Sequence, residues 1–254
     1  MRLKLLLAEQ RCFKLPRYIK AFGIELEGIW KPSLQQYIKD TEWRREYDGT
    51  IQSSTPEGRK GWSKELVSPP VNYDKDSEEF KKFRKVVKRC YKDKAEINHS
   101  MGLHINVSLV NEGYYPYLTT QRFYKFFKEY LRKRADEFSH RTKSRLFSRF
   151  RGNNDYIQEF KNRRDLDKTL NGSKYFDINY RHLRQHNSED IRRIEFRILP
   201  SCETARDVFT AVDMTTSAIN KYLHYKRPSK EISEEEIEYK KEKDSMELKT
   251  HLLT

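Results

Sequence analysis

The sequence predicts an α+β fold in which a curved, mainly antiparallel sheet of about six strands packs against helices. Short apolar runs have strand character, longer segments have helical periodicity, and the two kinds do not alternate as in a βαβ chain. The predicted strands are residues 22–30, 44–51, 64–68, 103–110, 175–180 and 192–199. We predict one domain over residues 1–228, followed by a charged helical tail over 229–254.

Helical periodicity is clearest over residues 76–93, with Asp76 or Ser77 as the predicted N-cap. Its apolar residues follow a three-four spacing: Phe80, Phe83, Val86, Val87 and Cys90. A second helix is predicted over about 119–138. A third begins at a Thr or Glu cap and carries Val208, Val212 and Ile219 on one side.

The composition favours an anionic partner and a reducing location. Among 254 residues, 52 are Lys or Arg and 38 are Asp or Glu, so the net charge is +14 and nucleotides, acidic peptides, nucleic acid or a membrane surface would be attracted. Three scattered cysteines, Cys12, Cys90 and Cys202, fit free thiols better than disulfides. The apolar run at the start is too short for a signal peptide and no window approaches a membrane span, so we expect a cytoplasmic protein without a membrane partner.

Two carboxylates share one face of the first predicted strand. In AFGIELEGIW, residues 21–30, Glu25 and Glu27 point the same way while the apolar residues between them cover the other face. The pattern fits either a solvated strand face or a site where two carboxylates hold a cation.

Other strands repeat this arrangement of polar residues. RRIEFRILP places Glu195 and Arg197 on one face, as either a surface ion pair or part of a site. HSMGLHINVSL places His104 opposite an apolar face, and KELVSPP ends a strand after Glu65. REYDGTIQ adds Asp48 beside a glycine, which is also a common turn signal.

A sheet that presents several carboxylates on one face needs cations to offset their repulsion. Oxygen-rich sites suit Mg²⁺ or Mn²⁺, which bridge phosphate oxygens. Arg197 would then clamp a transferring phosphoryl group. The sequence lacks a GxxxxGK[ST] loop, a GxGxxG turn and a GxSxG elbow, which argues against P-loop, dinucleotide-binding and serine-hydrolase folds.

Seven segments in order resemble motifs of the amidoligases, a branch of the carboxylate-amine ligases related to glutamine synthetase and glutamate-cysteine ligase. These are FGIELEG, YDGTI, KELVSPP, INHSMGLHINVSL, RFRGNNDYI, YFDINYR and RRIEFRILPSCET, which together span roughly residues 21–220. The resemblance implies a glutamine synthetase-like catalytic fold that binds ATP and Mg²⁺, or Mn²⁺, at a sheet.

The resemblance also implies roles for individual residues. Metal ligands would be Glu25, Glu27, Glu65, Glu195 and His104; nucleotide, phosphate or substrate contacts would be His104, Arg149, Arg151, Asn154, Asn179 and Arg197; catalytic residues would be Arg197, Glu65 and Asp48. Where the family often has a second histidine, this chain has Asn106, a poorer metal ligand.

The activity implied by the resemblance is ATP-dependent amide formation through an acyl-phosphate intermediate, joining an unidentified, anionic acid to an amine. An acidic peptide, a polymer or a modified nucleic acid would each suit the basic charge as the acid substrate, and the sequence does not choose among them. Two alternatives stay open: a nucleic-acid-binding protein or metal-dependent nuclease that uses the basic, aromatic stretch 121–164, and the same fold without enzymatic activity.

Overall fold

The computed structural model describes residues 18–47, 49, 51–74, 76–98, 101–139, 162–171, 176–184, 192–199 and 201–226. In these ranges the protein is a mixed α/β fold in which helices pack on a mainly antiparallel sheet. The predicted tail over 229–254 and the boundary at 228 lie outside the described residues.

The described strands form an eight-stranded sheet in which every recorded pairing is antiparallel. The strands are β1 (Ile19–Trp30), β2 (Arg44–Glu46), β3 (Trp62–Val67), β4 (Val71–Asn72), β5 (Lys94–Glu96), β6 (Leu103–Leu109), β7 (Ile178–Asn179) and β8 (Ile194–Phe196). Their order is β2-β3-β1-β6-β8-β7, and β4 and β5 also pair with β1. Six of the eight fall on the predicted runs, whereas β4 and β5, with two and three residues, were not predicted.

The described helices are α1 (Pro32–Lys39), α2 (Pro56–Arg59), α3 (Glu78–Lys92), α4 (Tyr115–Leu118), α5 (Gln121–Lys133), α6 (Arg163–Leu170) and α7 (Ala205–Lys226), with 3-10 turns at Glu112–Tyr114, Ala135–Glu137 and Arg181–Leu183. The three predicted helices are confirmed as α3, α5 and α7, and the other four were not predicted. Ser77 caps α3 by accepting a hydrogen bond from the backbone N–H of Phe80 (3.1 Å). Thr204 caps α7 in the same way, from Asp207 (3.1 Å). Of the described helices, none combines the length and apolarity needed to cross a bilayer.

Aromatic side chains join the helices to one face of the sheet. Phe22 of β1 meets Phe83 of α3 with ring centroids 5.2 Å apart, and Phe196 of β8 meets Phe127 of α5 at 4.8 Å. Each such buried ring contributes about 1.5–3 kcal/mol by burial. Because side chains alternate along a strand, the neighbours of Phe22 and Phe196 point to the opposite face, away from these helices. That opposite face carries the polar residues and is called the site face below.

Candidate active site

The strand register brings the polar residues of five strands together on the site face. Glu25 of β1 is paired with His104 of β6, and Glu27 of β1 with Glu65 of β3. Asn106 of β6 and Asn179 of β7 are both paired with Glu195 of β8. Directly opposite residues in adjacent strands have Cβ atoms about 4.5–5.5 Å apart, so residues from distant parts of the chain become immediate neighbours.

His104 lies between three carboxylates. Its Nδ1 is 2.9 Å from Glu25 Oε2 and 3.6 Å from Glu195 Oε1, and its Nε2 is 3.4 Å from Glu27 Oε1. Burial alone would lower the pKa of His104, but the charge of Glu27 and the hydrogen bond with Glu25 raise it above its usual value. The carboxylates therefore favour the charged, imidazolium form of His104.

Glu25 and Glu65 form a hydrogen-bonded carboxyl pair. Burial, the bond to Glu25 and the charges of Glu25, Glu27 and Glu46 raise the pKa of Glu65 to about 9. Burial alone would also raise the pKa of Glu25, but the hydrogen bond and charge of His104, with bonds to Glu65 and Asn106, hold it well below its usual range. At neutral pH, Glu65 is thus the protonated donor and Glu25 the ionised acceptor.

Three of these residues have the spacing of ligands to a single ion. One carboxylate oxygen each from Glu25 and Glu65 and a ring nitrogen of His104 all lie within 4.8 Å of one another. Ligands at about 2.1–2.6 Å from an ion lie at most about twice that distance apart, so the group fits one divalent cation. Two of the three donors are hard carboxylate oxygens, which suit Mg²⁺, Mn²⁺ or Ca²⁺, and the third is an imidazole nitrogen, which also suits Zn²⁺.

Glu195 stands beside this group and is fixed from both sides. Arg197 Nη1 donates to Glu195 Oε1 (2.5 Å), and Asn179 Nδ2 donates to Glu195 Oε2 (2.7 Å). Burial alone would lower the pKa of Arg197, but the charge of and bond to Glu195 raise it. The same guanidinium is 3.4 Å from His104 Nδ1, so it reaches the edge of the candidate metal group.

The structure brings seven of the predicted site residues onto one face: Glu25, Glu27, Glu65, His104, Asn179, Glu195 and Arg197. Glu27 and Glu195 contact His104 but are not members of the three-ligand group. Asp48, Arg149, Arg151 and Asn154 lie outside the described residues.

Asn106 has a different role from the ligand position considered for it in the sequence. Its Nδ2 donates to Glu25 Oε1 (2.8 Å), and its Oδ1 accepts from Arg193 Nε (3.1 Å). The side chain therefore orients Glu25 instead of joining the three-ligand group. The alternation that singled out Glu195 and Arg197 also marks Arg193, two residues earlier on the same face.

A further buried carboxylate, Glu96, lies apart from the three-ligand group and was not predicted. It accepts hydrogen bonds from Ser53 Oγ (3.0 Å), from the backbone and hydroxyl of both Ser54 and Thr55, and from Asn98 Nδ2 (2.6 Å). Burial alone would raise the pKa of Glu96, but these bonds hold it well below its usual range. Its partners are 41–43 residues earlier in the chain, apart from Asn98, so no local pattern could indicate them.

Comparison with known proteins supports the predicted family. A family model described as "putative amidoligase enzyme" matches residues 31–194, which is more than half of the chain. The match includes Glu65, His104 and Asn179 and ends one residue before Glu195. A search of curated proteins finds no match.

Proposed function

The chain belongs to the amidoligase family, a family of ligase-type enzymes, and we propose that it is an ATP-dependent carboxylate-amine ligase. In the proposed reaction an anionic acid substrate is activated as an acyl phosphate and then joined to an amine. The observation that carries this proposal is the convergence of Glu25, Glu65 and His104 beside the Glu195–Arg197 pair.

Glu25, Glu65 and His104 would hold Mg²⁺ or Mn²⁺, with Glu27 and Glu195 as further carboxylates beside His104. Such an ion, when bound, offsets the charge of phosphate oxygens and aligns them for transfer. His104 and Glu65 each carry a proton in the metal-free site, so both protons must leave when the residues become ligands.

Arg197 is the candidate for charge stabilisation during phosphoryl transfer. Its guanidinium is held by Glu195 and reaches the edge of the metal group, so it is oriented before a substrate arrives. A planar fork of N–H donors matches the oxygens of a phosphoryl group. Asn179 contributes indirectly, because it fixes the second oxygen of Glu195.

Amide formation also requires a group that accepts a proton from the attacking amine. Glu65 is our first candidate in the metal-bound enzyme, where its own proton has already left and its carboxylate can accept one from the amine. A Glu65 that accepts this proton is not a metal ligand in the same step, so Glu25 and His104 would then carry the ion. Asp48 remains the alternative predicted from the sequence.

The direct test is phosphate release from ATP and Mg²⁺ in mixtures of amines and carboxylic acids, with mass spectrometry to detect products that have lost one water. Glu195→Gln should reduce turnover about 10²–10³-fold because Arg197 loses the anion that orients it. Glu78→Gln, which changes an exposed glutamate, is the matched control. Turnover by Glu195→Gln equal to that of the control would refute the assigned role.

The nucleic-acid alternative receives no support from α5. Phe123, Tyr124 and Phe127 are buried, and Phe126 and Tyr130 pack against the core, with Phe126 in contact with Tyr222. These rings are thus not arranged as a platform on which bases stack. The same assay with single-stranded DNA in place of the acid and amine distinguishes the classes, since a nuclease would cleave the strand without ATP.

A further inference from the structure

Three basic side chains meet at one end of the site face and have no part in the proposed reaction. Arg181 Nε donates to His182 Nε2 (3.0 Å), and Arg193 Nη2 lies 3.4 Å from the same nitrogen. Two guanidinium groups therefore approach a single imidazole nitrogen on a side chain that is only 4% exposed. Arg181, His182 and Arg193 are called the basic cluster below.

Two amide side chains connect the basic cluster to the carboxylates of the candidate active site. Asn106 joins Arg193 to Glu25, with contacts of 3.1 Å and 2.8 Å. On the other side, the backbone N–H of Arg181 donates to Asn179 Oδ1 (3.0 Å), whose Nδ2 donates to Glu195. The cluster thus belongs to the same hydrogen-bond network as the active site, with one residue between them on each path.

The cluster has the chemistry of an oxyanion site. Arg181 and Arg193 are partly exposed, and their planes are fixed by contacts with His182 and Asn106. A guanidinium has five N–H donors, and such planar forks match carboxylate and phosphate oxygens. Because both arginines are held in place in the protein itself, an anion that binds them loses less affinity to side-chain ordering.

The strand order sets the distance between the cluster and the candidate metal group. Arg193 precedes β8, which is two strands from β1 with β6 between them. Adjacent strands are separated by about 4.8 Å, and the metal group includes His104 of the intervening β6, so the two sites are roughly 5–10 Å apart across the sheet. A ligand that occupies both must be extended and must carry an anionic group at each end.

We propose that Arg181 and Arg193 bind an oxyanion, a carboxylate or a phosphate, that belongs to a substrate of this active site. The identity of that substrate rests on the proposed ligase function, whereas the anion site itself does not. The oxyanion is either a second anionic group of the acid substrate, roughly 5–10 Å from the reacting carboxylate, or a phosphate of the nucleotide.

The anion site is tested with inorganic phosphate and a linear dicarboxylate, measured by calorimetry on protein free of metal and nucleotide. Arg181→Gln and Arg193→Gln should each weaken binding of the probe at least about tenfold. Arg184→Gln and Arg192→Gln are matched controls, because they remove the same charge from exposed arginines that bind Asn171 and Glu112 instead. The controls should change binding less than about twofold.

Equal weakening by all four variants would mean a general charge effect and would overturn the proposal, as would a wild-type protein that binds neither probe at millimolar concentration. Arg181→Lys and Arg193→Lys keep the charge while removing the fork. They should retain the native circular dichroism spectrum and bind the probes with intermediate affinity; affinity equal to wild type would overturn the role of the forks.

A second arm identifies the source of the oxyanion. If the glutamine variants weaken binding of ADP with Mg²⁺ about tenfold, the cluster binds a nucleotide phosphate. If ADP binding is unchanged while dicarboxylate binding falls, the cluster binds the acid substrate. Because the calorimetry requires no turnover, a protein with an intact anion site and no ligase activity would contradict only the proposed function.

Discussion

Replacing Glu65 by Gln in metal-free protein should change how stability depends on pH. Folding raises the pKa of Glu65 from about 4.5 to about 9, so between these values the folded state binds more protons than the unfolded chain. The free energy of unfolding then falls as pH rises. Gln cannot lose that proton, and its amide donates to Glu25 as the protonated carboxyl does.

The size of the effect follows from the proton count. One proton corresponds to about 1.4 kcal/mol per pH unit, so wild type should lose up to about 3 kcal/mol relative to Glu65→Gln between about pH 6 and about pH 8. At or below about pH 4.5, where this loss has not yet begun, the two proteins should differ by less than about 0.5 kcal/mol, because the hydrogen bond to Glu25 is preserved.

Urea unfolding followed by circular dichroism, in the presence of a chelator, measures this difference at each pH. Glu57→Gln, an exposed glutamate of α2, is the matched control and should follow wild type at every pH. A stability difference between wild type and Glu65→Gln that does not change with pH would show that folding does not raise the pKa of Glu65.

Three other substitutions test the supports of the fold. Glu96→Gln should lower the free energy of unfolding by about 1.5–3 kcal/mol at neutral pH. Because folding lowers the pKa of Glu96, this loss should shrink below about pH 4.5. A loss that stays constant in urea titrations at acid pH would contradict this. Gly58→Ala places a Cβ 1.9 Å from Glu96 Oε2 and should cost about 1–3 kcal/mol in the same assay, and an unchanged midpoint would show that the contact is not as described. Phe127→Ala removes a fully buried ring against Phe196 and should cost about 3–5 kcal/mol, whereas the half-buried Phe126→Ala should cost less; equal losses would contradict the packing.

Much of the candidate site could be predicted because it lies on regular strands. Alternation in β1, β6 and β8 assigns Glu25, His104 and Glu195 to a polar face without knowledge of which strands are neighbours. The same rule predicts that Phe22 and Phe196 point to the opposite face, and both are buried there. Where local geometry repeats along the chain, the sequence carries enough information.

Other parts of the site depend on contacts between distant segments. The orientation of Glu25 by Asn106 joins residues 81 positions apart, and the contact of Arg193 with His182 joins the residue before β8 to a 3-10 turn. These contacts follow from the register of β1, β6 and β8, which no single segment specifies. The basic cluster and the Glu96 network therefore became visible only in three dimensions.

The central position of β1 has a consequence for how the enzyme handles its substrates. β1 is hydrogen-bonded to β3 on one side and to β6 on the other along residues 25 and 26, so its amide protons there should exchange with solvent only through global unfolding. The backbone of β1 at Glu25 is consequently rigid. Any rearrangement that admits substrate or releases product must take place in the segments around β1 and not within this part of the strand.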